Sequence, residues 1–203
     1  MVEQQLVRRG IHTPALLNAM RQVPREAFVP SDLQQFSYDD APLPIGNDQT
    51  ISQPYIVAAM IEAAALQPTH RVLEVGAGSG YAAAVMSRIV QRVYAIERHE
   101  DLTAAAIKRI ATLGYENIEL RTGDGKKGWP EEAPFDAILV AASGTDVPPA
   151  LRNQLAIGDR LIIPIDRGHR WQMLCCILRR TEMDFDEHDL GAVKFVPLIG
   201  EDD

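Results

Sequence analysis

The sequence predicts an α/β fold: a mostly parallel seven-stranded sheet with helices on both faces and an N-terminal helical cap. Three observations carry this. Five short apolar runs, at 71–75, 92–96, 118–122, 135–140 and 160–164, alternate with helix-patterned stretches at about 80–90, 100–113 and 147–155. Strands and crossover helices of a parallel sheet alternate in this way. The first run ends directly in a glycine-rich turn, Gly76-Ala-Gly-Ser-Gly80. Two further strand-like runs, 171–179 and 192–196, follow with no long helix between them, which predicts an antiparallel pair.

Taken in order, residues 1–22 carry helix-like spacing, with Leu6, Ile11, Leu16, Leu17 and Met20 broadly amphipathic. Pro24 and Pro30 bracket a connector. Residues 36–50 are turn-rich, with Asp39-Asp40, Pro42, Pro44, Gly46 and Asn47-Asp48, and little regular pattern is expected there. Such a stretch inside a compact domain is more often functional than idle. Residues 54–66 predict a helix with Ile56, Met60, Ile61 and Ala64 along one side and Pro54 in its first turn. No repeat or linker divides the chain. A single domain over 1–203 is expected, with 1–66 as cap and loop and 67–203 as core and C-terminal strands.

The 203 residues suffice for one substantial core. Lys and Arg number 20 against 28 Asp and Glu, a formal charge of −8, so nucleic acid is not an expected partner. No apolar stretch approaches the roughly 18 residues that span a bilayer, so no membrane association is expected. The N-terminus lacks a signal peptide's apolar core, and a cytoplasmic protein is expected. Cys175 and Cys176 are neighbours whose side chains would leave a strand on opposite faces, which argues against a disulfide. The histidines, His12, His70, His99, His169 and His188, form no ligand-spaced pair, and no metal is expected.

The glycine turn points to a ligand. Residues 72–80 read Val-Leu-Glu-Val-Gly-Ala-Gly-Ser-Gly, a strand, a tight turn and a helix start that bring backbone N–H groups close to a bound molecule. Glu97 ends the second apolar run, 97 − 76 = 21 residues beyond Gly76. An acidic residue about 20 positions on accepts ribose hydroxyls in nucleotide sites. The spacing is G-x-G-x-G, and Glu74 stands two residues before its first glycine. That carboxylate would repel a pyrophosphate and attract a cationic amino-acid tail. S-adenosyl-L-methionine, with an ammonium and a sulfonium, fits: Glu74 orients the ammonium, Gly76, Gly78 and Gly80 permit close approach, and Glu97 takes the ribose. Thr122-Gly-Asp-Gly125 follows the third apolar run, and Asp124, beside Gly125, can accept from the adenine amine. Over 71–165 the chain resembles the S-adenosylmethionine-dependent methyltransferases, which implies the Rossmann-like methyltransferase fold.

The acceptor is read upstream. Pro42-Leu-Pro-Ile-Gly46 and Gln49-Thr-Ile-Ser-Gln-Pro-Tyr55, together with Val-Pro-Arg-Glu-Ala-Phe-Val-Pro30, resemble the protein-L-isoaspartate O-methyltransferase family. Gly125-Lys-Lys-Gly-Trp-Pro130, Ala133-Pro-Phe-Asp-Ala-Ile-Leu-Val140 and Val193-Lys-Phe-Val-Pro-Leu198 extend the resemblance from about residue 2 to 199. It implies methyl transfer to the α-carboxylate of L-isoaspartyl residues in damaged proteins and peptides. The ester then collapses to a succinimide that partly reopens as aspartate. A carboxylate is already ionised at neutral pH, so no general base is needed. Orientation and exclusion of water are the expected tasks.

The resemblance makes Ser52 the active-site residue, here read as positioning the acceptor, with Thr50 and Ile51 beside it over the cofactor. Ser52 is also suited to an N-cap of the following helix. Val57 is expected to line the same cavity. Val193, Phe195 and Val196 belong to a segment, 193–197, that an extended peptide could join edge to edge. A monomer is expected. Two positions depart from the family pattern: Asp48 replaces a glycine before Gln-Thr-Ile-Ser, and Asp159 replaces the second glycine before the fifth strand. Two other readings stand beside this one. A same-fold enzyme with another substrate would need Glu74, Glu97 and Asp124 but not Thr50-Ile51-Ser52. A catalytically weak binding homologue would be consistent with Asp48.

Overall fold

The computed structural model describes residues 1–168 and 170–201; His169 lies outside the described residues. The chain begins in a wide π-helical turn at Val2–Leu6 and a tight 3₁₀ turn at Val7–Arg9, which ends at Gly10 with φ 92°, and α1 follows at Pro14–Gln22. The continuous helix predicted over 1–22 is thus two pieces. Gly10 leaves the helix in the left-handed region, and Pro14 starts a new one at its first turn. The apolar set still points inward, with Leu6, Ile11, Leu16 and Met20 buried.

Residues 36–50 carry more structure than predicted. Strands β1 (Leu43–Gly46) and β2 (Gln49–Ile51) pair antiparallel as a separate hairpin. Asn47 and Asp48 take φ 51° and 56°, the two positive values that a tight I′ hairpin turn requires. Helix α2 (Pro54–Ala64) follows with Pro54 at its start, as predicted.

The main sheet is built from β3 (Arg71–Val75), β4 (Arg92–Glu97), β5 (Ile118–Thr122), β6 (Phe135–Val140), β7 (Leu155–Ile165), β8 (Gln172–Arg179) and β9 (Phe185–Val193). Its order is β5-β4-β3-β6-β7-β8-β9, parallel as far as β7 and antiparallel thereafter. Helices α3 (Tyr81–Ser87), α4 (Glu100–Thr112) and α5 (Pro149–Gln154) connect the parallel strands. Four consecutive residues at the end of β3, and five in β4, are buried, as befits strands covered on both faces.

The period of two sorts alternate side chains into two apolar layers. Val72, Val93, Ala137, Ile162 and Cys176 pack with α1, α2 and α3. Leu73, Tyr94, Ile138, Ile163 and Cys175 pack against Trp129 and Leu151 on the other face. The adjacent cysteines are free thiols in different layers, as their spacing predicts.

Two C-terminal boundaries differ from prediction. β7 starts at Leu155 rather than 160, with an irregularity opposite Phe135–Ala137. The last strand is Phe185–Val193, not 192–196. A short turn, in which Arg180 N–H donates to Asp184 O at 2.8 Å, brings the chain back early. Residues 194–198 therefore leave the sheet and cross its carboxyl end. There Ser143 N–H donates to Val196 O, and Leu198 N–H to Ser143 O, both at 2.8 Å. This crossing brings the C-terminal segment to the same sheet edge as the glycine turn.

Candidate active site

A chamber opens at the carboxyl ends of β3, β4 and β6, where open parallel sheets bind ligands. Its floor is the glycine turn, and its roof combines the end of the β1–β2 hairpin with residues 196–199. Of the residues predicted from sequence, Thr50, Ile51, Ser52, Val57, Glu74, Gly76, Gly78, Glu97, Gly125 and Val196 all line it. Segments about 25 residues apart in sequence, the Thr50–Ser52 loop and the glycine turn, thus face one another across a single space.

Glu74 is 2% exposed, and one of its carboxylate oxygens, Oε2, has no hydrogen-bond partner among the described residues. Its pKa is pushed up to about 8, first by burial and then by the nearby Glu97 carboxylate, against the backbone amide of Ala83. A buried, unpartnered acceptor at a chamber wall needs a donor or a cation from a ligand. A ligand ammonium meets both needs.

Glu97 is 5% exposed and ties the glycine turn to the end of β4. Gly78 N–H donates to its Oε2 at 2.7 Å and His99 N–H to its Oε1 at 3.0 Å. Each carboxylate oxygen can accept a second hydrogen bond, so both still have capacity for the two hydroxyls of a ribose. Gly76 and Gly78 have positive φ, 84° and 53°, and a Cβ on Gly78 would stand 3.1 Å from Ile45 Cδ1 of the hairpin. The roof therefore rests on a floor that has no side chain at the contact.

Four predicted residues sit outside the chamber lining. Gly80 is the left-handed N-cap of α3 and packs against Ile110 of α4. The carboxylate of Asp124 turns away to accept Lys126 N–H at 2.8 Å and Glu201 N–H at 3.1 Å, while Gly123 and Gly125 present backbone to the chamber. Gly125 has no room for a side chain, since a Cβ there would overlap Val75. Val193 is buried in the core at the end of β9. Phe195 packs against that core, and its backbone is already taken: its N–H donates to Gln172 Oε1 at 2.6 Å, and its carbonyl accepts Gln172 Nε2 at 3.0 Å. Residues 193–197 therefore offer less unpaired backbone to an extended peptide than their sequence suggests.

Ser52 does not cap α2; Gln53 holds the N-cap position, and no side chain bonds there. The Ser52 carbonyl instead accepts Arg25 Nη2–H at 2.9 Å. Arg25 was not singled out by sequence, because nothing local marks an arginine for burial. His99, Arg98, Tyr81 and Ile199 also line the chamber without a prior signal. Asp159, which replaces a family glycine, does not take a glycine-like conformation: the positive φ falls on Gly158, at 93°.

Among the described residues, Cys175, Glu187 and Asp189 bring ligand-type atoms together. Arg167 already occupies that cluster, paired with Glu187 and with Asp189 at 3.2 Å. Burial pushes the Cys175 thiol up to about 12, which disfavours the thiolate that binds metals.

The parallel sheet, the glycine turn and the two buried carboxylates define a Rossmann-like protein of the methyltransferase class. The sequence profile of the protein-L-isoaspartate(D-aspartate) O-methyltransferase family matches residues 1–203. The chain is 58% identical over 199 residues to protein-L-isoaspartate O-methyltransferase of Methylorubrum extorquens, covering 98% of this chain and 86% of that one. It is 53% identical over 200 residues to protein-L-isoaspartate O-methyltransferase 2 of Pelobacter propionicus, covering 98% and 89%. The fold superposes with a TM-score of 0.84 on a Plasmodium falciparum protein assigned to the same enzyme class and crystallised with S-adenosyl-L-homocysteine. That structure is 29% identical, and the match covers 98% of this chain and 96% of that one. The chain belongs to the protein-L-isoaspartate(D-aspartate) O-methyltransferase family.

Proposed function

We propose that this chain is a protein repair methyltransferase that moves a methyl group from S-adenosyl-L-methionine to the α-carboxylate of L-isoaspartyl residues in damaged proteins. One observation carries the reading beyond family membership: Thr50, Ile51 and Ser52 share a chamber with Glu74, Gly78 and Glu97. An acceptor loop and a donor-binding turn thus meet in one place.

When bound, the cofactor supplies an electrophilic methyl group on a sulfonium and leaves as the neutral thioether S-adenosyl-L-homocysteine. Glu74, with its unpartnered Oε2, holds the ammonium end. Glu97 takes the ribose hydroxyls, and the backbone of Gly76 and Gly78 lies along the methionine part. Asp124 and Gly125 shape the adenine end, with Asp124 acting through the turn it caps. Ser52 directs the acceptor carboxylate, while Val57 and Val196 keep water from it. The acceptor oxygen carries its own lone pair and charge, so no residue must remove a proton. Orientation and a dry, preorganised wall supply the acceleration. The protein partners are isoaspartyl-containing chains, and the enzyme works as a cytoplasmic monomer. No helix among the described residues is long and apolar enough to cross a membrane.

The test is the fate of the acceptor. An isoaspartyl peptide incubated with enzyme and S-adenosyl-L-methionine should gain one methyl group, lose methanol and appear in part as the aspartyl peptide on separation by mass spectrometry. Absence of both ester and aspartyl product would refute the reading.

A further inference from the structure

We infer that Arg25 is a positioning residue for the methyl acceptor: its buried guanidinium fixes the Ser52 loop and places a positive charge behind it. The inference rests on the assignment of Ser52 as the acceptor-directing residue. Arg25 opens a short helical turn, Arg25–Phe28, and is 0% exposed, the largest side chain buried so completely. A guanidinium is kept from water only when its donors are used or its charge is needed. Its titratable neighbours are the phenols Tyr81 and Tyr38, with no carboxylate among them. Among the described residues, therefore, no ordinary ion pair explains its burial.

What it does hold is backbone. Nε donates to Ser37 O at 2.7 Å, and one terminal nitrogen donates to Ser52 O at 2.9 Å. The guanidinium carbon lies 4.9 Å from the ring centroid of Tyr81, the first residue of α3 and part of the chamber wall. Phe28, three residues on, packs edge-on against the same ring, with centroids 5.5 Å apart. One side chain thus joins the turn before the hairpin, the loop after it and the helix that follows the glycine turn. The planar fork suits this task, because it aims separate N–H groups at two carbonyls in fixed directions.

Among the described residues Nη1 is buried with no hydrogen-bond partner. That leaves the charge on Arg25 incompletely matched from within the protein. The acceptor is an anion entering a chamber whose wall includes the Glu97 carboxylate, so its approach is opposed by like charge. A fixed cation one peptide group behind Ser52 offsets that field in a low-dielectric setting. Arg25 does not itself line the chamber, so it acts through the Ser52 loop and its field rather than by touching substrate.

The experiment compares wild type, Arg25→Gln and Arg25→Lys for kcat, for KM with an isoaspartyl peptide, and for S-adenosyl-L-homocysteine affinity by calorimetry. Arg25→Gln should raise peptide KM roughly tenfold or more, the scale of one lost charge-assisted contact, with cofactor affinity within about twofold. Arg25→Lys, which keeps the charge and can reach one carbonyl, should fall between the two. A folded Arg25→Gln with unchanged peptide KM would overturn the inference. So would a loss of cofactor affinity in step with KM, because a purely structural role moves both. If Arg25→Gln does not fold, Arg25→Lys decides alone: a raised peptide KM supports the inference, and an unchanged one overturns it. A wild-type enzyme inactive on isoaspartyl peptide would instead refute the functional assignment.

Discussion

Glu97 accepts the backbone N–H of Gly78 at 2.7 Å, so the carboxylate read from sequence as a ribose ligand also braces the turn that carries the glycines. Its other oxygen accepts His99 N–H. Glu97→Ala should therefore do two things. It should weaken S-adenosyl-L-homocysteine binding by about tenfold or more, and it should lower stability by about 2 kcal/mol through loss of charge-assisted hydrogen bonds. Calorimetric titration and thermal melting measure the two separately. Unchanged affinity would contradict the ribose assignment.

Glu74 sets a pH dependence. Its pKa is raised from the ordinary carboxylate value of 4.5 to about 8 by burial, with Glu97 adding to it. Between these two values the folded chain holds a proton that the unfolded chain has lost. The folded state then binds more protons, and stability falls as pH rises through that window. A cationic ligand reverses the preference, since it favours the ionised carboxylate. Cofactor affinity should rise as pH approaches about 8 and level off above it, with a proton released on binding at neutral pH. Calorimetry in buffers of different ionisation enthalpy counts that proton. Glu74→Gln should abolish the release.

Ser52→Ala tests whether catalysis can be separated from binding. Because it makes no cap to α2, Ser52→Ala should leave the melting temperature nearly unchanged. Turnover should fall by about tenfold, the equivalent of roughly 1.4 kcal/mol in the transition state, with little change in cofactor affinity. Steady-state kinetics beside calorimetry reads the split. Full turnover would remove Ser52 from the acceptor's path.

Asp48 tests the hairpin. It sits at φ 56° in an exposed turn, a conformation glycine adopts freely. Asp48→Gly should fold normally and bind isoaspartyl peptide as well as or better than wild type. The gain should shrink as salt screens the exposed charge. A collapse of activity would give Asp48 a role of its own.

The parallel core was legible because its strands are buried on both faces and therefore read as unbroken apolar runs. That Glu74, Gly76, Gly78 and Glu97 lie along one chamber was legible for a related reason: close approach and charge leave few choices of residue. The hairpin at 43–51 escaped because its strands are only four and three residues long and include Pro44. β9 was misplaced because Asp186-Glu-His-Asp189 at an exposed sheet edge shows no apolar alternation. Arg25 and the tail over Asp124 depend on carbonyl and amide groups far away in sequence, to Ser52 in one case and Glu201 in the other. Composition and spacing carry no trace of such partners.

In the proposed function, the Ser52 loop and the Glu74–Glu97 pocket present one acceptor, an isoaspartyl carboxylate, to one methyl donor. The most direct measurement is the initial rate of methyl transfer from labelled S-adenosyl-L-methionine to two peptides that differ only in an isoaspartyl or aspartyl linkage. The account predicts rapid labelling of the isoaspartyl peptide and only background labelling of its partner. Equal labelling of both, or of neither, would contradict it.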